Sequence, residues 1–437
     1  MQFQIKNGRE TRIFCTGTKF GILISCKFTL AFFAGLLYNT LIILRRQTTM
    51  KKILALVLVL MLAISASAMA EVVKVGVFEP ASGDNGAGGK QEVLGIEYAN
   101  SLVPTVTIDG VEYDVELVIV DNQTTAEKGV TAAQELVDKE VSIILGSYGS
   151  GVSMAGGEIF AEAEIPAIGC SCTNPNVTLL CDYYWRVCFL DPFQGKVMAS
   201  FAMDQYQAKK AFVLTQLGDD YSTGLGYYFA EAFKAMGGEV IEQTFNEGNS
   251  DFSAYLTTAT QEGCDVFFTP NSTVVASLLI NQAATANVSY PLLAGDTWDS
   301  SVILEAAKGT NVEVCCSTFM AAGASEAVDT FSEGFKAWLN ANPDKLTNNG
   351  GNDIISAVSA LGYDAYMVAI EALKASKSTE GIDVAEALPA VTLEGVTGSI
   401  AFDENGDAAK DNAYIIKANN ETGAFDFVKN QALADLG

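Results

Sequence analysis

The chain has no histidine among its 437 residues. That removes every Ser-His-Asp, Cys-His and His-metal arrangement, together with the commonest general base at neutral pH. An enzyme built on this sequence would need a base of another type. Positive charge is also scarce, with 26 Lys and Arg against 52 Asp and Glu. The imbalance deepens along the chain, because residues 1–70 hold nine of the bases and a single acid, Glu10. Residues 71–437 keep 17 bases against 51 acids, a net charge of −34. Such a surface repels nucleic acid and anionic lipid, so neither is expected as a partner.

Hydrophobic residues are plentiful at 49%, and the length suffices for two or three domains with full cores. Residues 50–70, "MKKILALVLVLMLAISASAMA", join two lysines, an apolar stretch and the ending Ala68-Met69-Ala70. This is the pattern of a secretory signal peptide cleaved before Glu71. Its apolar run, residues 53–64, is short for a bilayer span. Upstream, residues 28–44 are apolar-rich and closed by Arg45-Arg46, a candidate span. The complete signal peptide starting at Met50 makes residues 1–49 an upstream extension outside the mature protein. A periplasmic or other extracytoplasmic location follows. No cysteine sits just after the cleavage site, so no lipid anchor is expected.

Seven of the nine cysteines lie beyond residue 70, an odd number that leaves at least one free or paired between chains. Cys172 and Cys181 could close a short loop in an oxidising compartment. The spacing of Cys170, Cys172 and Cys181 fits no familiar zinc knuckle. No metal is expected there, and buried, unligated thiols are the default for the others.

From residue 72 the pattern alternates apolar β-rich runs (72–78, 115–121, 142–146, 166–169) with amphipathic helical stretches (92–103, 125–139, 153–163). After "DPFQG", residues 191–195, the alternation restarts. Helices are expected over 193–206, 223–236, 252–262 and 274–286, and strands over 210–216, 239–245, 265–269 and 291–295. Repeated βα order implies parallel sheets covered on both faces. The strand count gives two α/β domains, first crossed near Asp191. Two long helical patterns (326–342 and 353–374) precede "GSIAFDENGDAAKDNAYIIKANN", which reads as strands around a turn. Within it "DENGD", residues 403–407, resembles a calcium loop but lacks the downstream ligands and closing glutamate. Asn405-Gly406 favours a hairpin turn.

Open parallel sheets bind ligands beyond the carboxyl ends of their strands. "GSYGSGVSMAGG", residues 146–157, occupies such a position. The Ser150 hydroxyl and successive backbone N–H groups could hold an anion at the start of a helix. The loop has no Gly-Lys-Ser or Gly-Lys-Thr ending and no Lys or Arg lies between Lys139 and Arg186, so a carboxylate suits it better than a phosphate. Ser150 could also be a simple helix cap or, with a lysine base, a nucleophile. "AIGCSCTNP", residues 167–175, repeats the geometry with Ser171 and Thr173, although alone it reads as a turn fixed by Asn174-Pro175. In the second domain "GDDYSTGLG" and "LLAGDTWDSS" place Tyr221, Asp296 and Trp298 after strands. Asp296 could bind an ammonium, with Tyr221 and Trp298 as aromatic surface. In so acidic a chain a single aspartate is ordinarily a solvated charge. Gly224-Leu225-Gly226 lacks the third glycine of a dinucleotide fingerprint, and no cofactor is expected.

The segments "VKVGVFEPASGDNGAGGKQEVLGIEYAN", "ILGSYGSGVSMAGGEIFAEAEIPAIGCSCTNP", "YYWRVCFLDPFQG" and "AFDENGDAAKD", in this order, resemble the type I periplasmic binding proteins of the Leu/Ile/Val (branched-chain amino acid) class. The resemblance runs from about residue 72 to the C-terminus. It implies a non-enzymatic, monomeric α/β protein of two doubly wound parallel-sheet lobes joined by three crossovers. The lobes would close on an amino acid and deliver it to an ABC transporter permease. Lobe 1 is expected over residues 71–191 plus about 319–397, and lobe 2 over 192–318 plus about 398–437. The family's carboxylate-binding serine falls on Ser150, its small residue and threonine on Ser171 and Thr173, its aromatic lid on Tyr221 and its ammonium-binding acid on Asp296. An aromatic residue of the first loop is replaced around Gly88, and the second-lobe tyrosine appears as Asn271 or Ser272. The implied clamp for an α-amino acid is kept while the side-chain pocket has changed. Other readings of the same sequence are a sensor ectodomain, a secreted hydrolase using Ser150 and a surface adhesin.

Overall fold

The computed structural model describes residues 71–435. The expected upstream extension (1–49), its apolar stretch and the expected signal peptide (50–70) lie outside the described residues. Among these, no helix is long and apolar enough to cross a membrane.

The first strand, β1 (Glu71–Glu79), buries Val73, Val75, Val77 and Phe78 almost completely. A strand buried on consecutive positions belongs in the middle of a sheet covered on both faces. It leads into α1 (Gly86–Leu102), the hairpin β2 (Thr105–Ile108) and β3 (Val111–Asp121), then α2 (Ala126–Asp138), β4 (Ile143–Leu145) and α3 (Ser150–Glu162). β5 (Ala167–Gly169), the single turn α4 (Asn176–Leu179) and β6 (Tyr184–Arg186) follow. The six strands form one sheet in the order β2-β3-β1-β4-β5-β6, with β2 antiparallel to its neighbour and the other pairings parallel.

Helix α5 (Asp191–Tyr206) carries the chain to a second sheet built from β7 (Lys210–Gln216), α6 (Asp220–Ala235), β8 (Glu239–Phe245) and α7 (Ser253–Gln261). It continues with β9 (Val266–Phe268), α8 (Thr273–Ala286), β10 (Leu292–Ala294), α9 (Ser301–Ala307) and β11 (Val314–Thr318). The chain then returns to the first lobe through α10 (Glu326–Ala341), α11 (Pro343–Asn348), α12 (Ala357–Ser376), α13 (Gly381–Ala387) and the hairpin of β12 (Thr392–Gly395) with β13 (Gly398–Ala401). A third crossing reaches β14 (Asn412–Asn419) and β15 (Ala424–Ala432), which extend the second sheet antiparallel, in the order β15-β14-β11-β10-β9-β7-β8. The result is a mixed α/β protein of two lobes whose sheets are mainly parallel.

Helix α12 fastens the returning chain to the first lobe by packing on α1 at backbone distance. A Cβ at Gly95 would stand 1.8 Å from the carbonyl oxygen of Ser359, and one at Gly362 would stand 2.3 Å from that of Glu92. Glycine is required at both positions because the space is filled by main chain, which cannot rotate away.

Strands β7 and β8 coincide with the runs 210–216 and 239–245 expected from hydrophobic pattern. Helices at the site begin earlier than the pattern suggests: α1 at Gly86, α3 at Ser150 and α6 at Asp220. Their first turns hold Gly, Ser and Asp, weak helix formers that carry no apolar period. At α6 a side-chain cap marks the start, where Asp219 Oδ1 accepts the Ser222 N–H at 2.8 Å. The strands β2, β6, β11 and β12 and the edge strand β15 fall outside the runs read from sequence. The considered Cys172–Cys181 bridge is not made, since all seven described cysteines are free and buried. "DENGD" forms a turn in which Asp403 Oδ1 accepts the N–H groups of Asn405 and Asp407 and Gly406 has φ 86°.

Gly95→Ala should destabilise the fold by about 1–3 kcal/mol or more through overpacking. Urea unfolding would show a lower midpoint, and an unchanged midpoint would contradict the backbone-to-backbone contact.

Candidate ligand-binding site

The carboxyl ends of β4 and β5 build the first half of the site. After β4, Gly149 adopts an extended conformation and Ser150 opens α3. The N–H groups of a first helical turn have no partner within the helix, which favours an anion there. Ser150 is 1% exposed, and its Oγ accepts the Asn174 N–H at 3.3 Å. That bond joins the β4 loop to the β5 loop. In the latter, Ser171 donates its hydroxyl to Glu92 Oε1 on α1. Thr173 is fully buried. Its Oγ1 lies close enough to the Asp191 carboxyl to favour the charged form but completes no hydrogen bond.

Arg186, the last residue of β6, holds this loop from outside. The side chain is wholly buried, with Nη1 donating to the carbonyls of Cys172 (2.8 Å) and Asn174 (2.6 Å) and Nη2 to Pro175 O (3.3 Å) and Thr178 Oγ1 (2.9 Å). Its Nε pairs with Asp407 Oδ1 at 2.5 Å. Between the Cys172 and Asn174 carbonyls, the peptide whose Thr173 carbonyl accepts the Asp191 N–H at 3.0 Å turns its Asn174 N–H toward Ser150.

The second half comes from β10 and α6. Asp296 begins a 3₁₀ turn beyond β10, and its Oδ1 accepts both Gln194 Nε2 (2.7 Å) and the Tyr221 hydroxyl (3.0 Å). Tyr221 sits in the first turn of α6. Burial pushes Asp296 up to about 6, against the pull of Gln194 and Tyr221. Burial likewise raises Asp299 to about 6 although Thr318 Oγ1 and the Ala357 N–H donate to it. Asp191 reaches about 8, through burial first and the charge of Asp296 second among the raising causes. The lobes meet beside Ser150, where Asn174 Nδ2 donates to Asp220 O at 2.8 Å. A Cβ at Gly151 would stand 2.6 Å from Asp220 Oδ2.

Ser150, Thr173, Tyr221 and Asp296 therefore occupy the loops expected of them. Ser171 is there too, with its hydroxyl committed to Glu92. Trp298, Asn271 and Ser272 sit in the second lobe with their polar atoms engaged internally. Trp298 is fully buried in that core and donates Nε1 to Asn271 O at 3.1 Å. Asn271 accepts Ser222 Oγ at 2.8 Å and donates to Leu214 O and Thr269 Oγ1, while Ser272 Oγ caps α8 through the Val275 N–H.

Five residues join the site without having been selected from sequence: Glu79, Glu92, Tyr148, Asp191 and Gln194. The Tyr148 ring covers Gly88, where a Cβ would come within 2.3 Å of it. The aromatic surface missing near Gly88 is thus supplied from the β4 loop. Glu79 and Asp191 carried a usable signal, since one ends the first strand and the other opens the segment between the two βα series.

Two α/β lobes joined by three crossings, shut over hydroxyls and helix N–H groups on one side and a buried acid on the other, define a two-lobed solute-binding protein. Residues 72–424 match the periplasmic binding protein family, and the chain belongs to it. It is 32% identical to the leucine binding protein LivK of Thermotoga maritima, with a TM-score of 0.74 over 83% of this chain and 100% of that one. It is 25% identical to LivJ of Streptococcus pneumoniae, solved in complex with isoleucine, with a TM-score of 0.72 over 83% and 99% of the two chains. Among curated proteins, it is 26% identical to the Leu/Ile/Val-binding protein homolog 1 of Brucella suis over 362 residues, which cover 79% of this chain and 90% of that one.

Two outcomes test this description. Glu92, Asp191, Asp296 and Asp299 all have folded values above those of ordinary carboxyls, so between pH 5 and 8 the folded state binds more protons than the unfolded. Their contribution to stability is present at low pH and lost as pH rises through about 6 to 8. Thermal melting of ligand-free protein should give a higher Tm at pH 5 than at pH 8, and a Tm rising over that interval would refute the burial of these acids. Arg186→Met should destabilise by about 3–5 kcal/mol, because it strands Asp407 and several buried carbonyls. Denaturant unfolding measures this, and a loss below 1 kcal/mol would show that the guanidinium does not organise the loop.

Proposed function

We propose that this chain is an extracytoplasmic solute-binding protein that captures an amino acid, or a close analogue, between closing lobes and presents it to an ABC importer permease. The observation that carries the reading is the pairing across the closed cleft of an uncharged anion site with a buried aspartate. Ser150 Oγ, the first N–H groups of α3 and Thr173 Oγ1 hold the carboxylate. Asp296 holds the ammonium, fixed in orientation by Gln194 and Tyr221. The isoleucine bound to the Streptococcus pneumoniae relative supports the ligand class. The protein works as a monomer and without catalysis. Its lobes comprise residues 71–191 with about 319–410, and 192–318 with about 411–437, so that the third crossing follows the β12–β13 hairpin and the Arg186–Asp407 pair and lies later than the expected residue 398, with Ser150 on one lobe and Asp296 on the other.

Hydrogen bonds to a charged group contribute about 1.5–3 kcal/mol, so Ser150→Ala should weaken binding by about tenfold to a hundredfold. Asp296→Asn should weaken it at least as much. Calorimetric titration of residues 71–437 with the common amino acids tests both, and binding by none of them, or undiminished binding in both variants, would sink the assignment. Affinity should also fall as pH drops below about 6, where Asp296 takes up a proton and no longer matches an ammonium.

A further inference from the structure

Beneath Ser171 the first lobe holds a second pair of acids. Glu92 receives the Ser171 hydroxyl on Oε1, and Glu79 receives the Tyr148 N–H on Oε2 at 2.7 Å. Their remaining oxygens, Glu79 Oε1 and Glu92 Oε2, have no hydrogen-bond donor although both residues are 0% exposed. Glu79, Glu92 and Cys170 each place one ligand atom within 4.8 Å of the others. Two buried carboxyl groups this close share a proton unless a cation lies with them, and only with a cation can both be ionised. Burial, helped by the charge of Asp296, raises Glu92 to about 7 against the hydrogen bonds from Glu79 and Ser171, and none of these neighbours is cationic. Arg186, the buried cation of this lobe, is already committed to Asp407 and the β5 loop.

The pair adjoins the amino-acid clamp. Ser171, in the loop that carries Thr173, touches Glu92, and Tyr148 feels Glu92 and Glu79 on its own lobe and Asp296 on the other. A zwitterion adds no net charge to this cleft. An apolar side chain laid against Glu79 and Glu92 would leave the pair held only by the proton they share, with no ligand group to pair with the oxygens of either carboxylate. A second positive group would satisfy those oxygens in place of the shared proton, with the Tyr148 ring offering a cation–π surface.

Resting on the amino-acid reading above, we infer that the solute carries a cationic side chain, an ammonium or guanidinium received by Glu92 and Glu79 beside Tyr148. The favoured ligands are basic α-amino acids, and Glu79 and Glu92 set the specificity.

Calorimetric titration of residues 71–437 at pH 7.5 with lysine, ornithine and arginine, and separately with leucine, isoleucine, valine and Zn²⁺, tests the inference. At least one basic amino acid should bind about tenfold or more tighter than the best branched-chain one. Glu92→Gln and Glu79→Gln, each neutral and nearly isosteric, should reduce that preference by about tenfold or more, with unfolding midpoints confirming that both variants are folded. Tighter binding of leucine, isoleucine or valine than of every basic amino acid would overturn the inference while leaving the parent function intact, as would an unchanged preference in both variants. Binding by no amino acid at all would remove the parent reading as well. Tight Zn²⁺ binding lost in Glu92→Gln and Cys170→Ser, without preference for basic amino acids, would reassign the pair to a metal and overturn the inference.

Discussion

The geometry of the first lobe depends on one buried guanidinium. Arg186 reaches the carbonyls of Cys172, Asn174 and Pro175, the hydroxyl of Thr178 and the carboxylate of Asp407. A buried charge is tolerated when nearly every donor is used, and Arg suits the position because its donors are rigidly arrayed in a plane. The same bonds hold the β5 loop at the Cys172 and Asn174 carbonyls, on either side of the peptide whose Asn174 N–H reaches Ser150. Through Asp407 they also tie the third crossing to the first lobe, 221 residues away in sequence. The motifs "YYWRVCFLDPFQG" and "AFDENGDAAKD" therefore meet in space through this pair.

The second constraint is electrostatic. Glu79, Glu92, Asp191, Asp296 and Asp299 are all buried near the meeting of the lobes, and burial is the first cause of every upward shift among them. A fold selected for stability alone would not concentrate acids in this way. The arrangement leaves the closed cleft short of positive charge, which a bound cation would supply. Local instability of this kind is expected where a protein is built to receive a ligand rather than to complete itself.

Between these two features, the scaffold is rigid where α1 and α12 touch. Gly95 and Gly362 allow backbone contact, and Glu92 lies on the same stretch of α1 as that contact. The acid that meets Ser171 is thus held by a backbone-to-backbone helix contact, so its position is set by main chain rather than by a flexible side-chain neighbour.

The sequence by itself determined the two α/β lobes, because alternating apolar runs and amphipathic stretches leave few ways to bury both. It also placed Ser150, Thr173, Tyr221 and Asp296 just beyond the carboxyl ends of strands, where the structure has them, since parallel strands put those ends on one edge. The strand-end rule locates a residue without giving its direction. Trp298, Asn271 and Ser272 follow strand ends equally well, yet their side chains turn into the second lobe's own hydrogen bonds and core. Tertiary structure alone decided that Tyr148 fills the space over Gly88, that Glu92 reaches Ser171, and that Arg186 meets Asp407. Those pairs join residues 60 to 221 positions apart or depend on a missing Cβ. Hydrophobic periodicity reports which face of an element is buried, and it carries no information about which distant polar group will be found there.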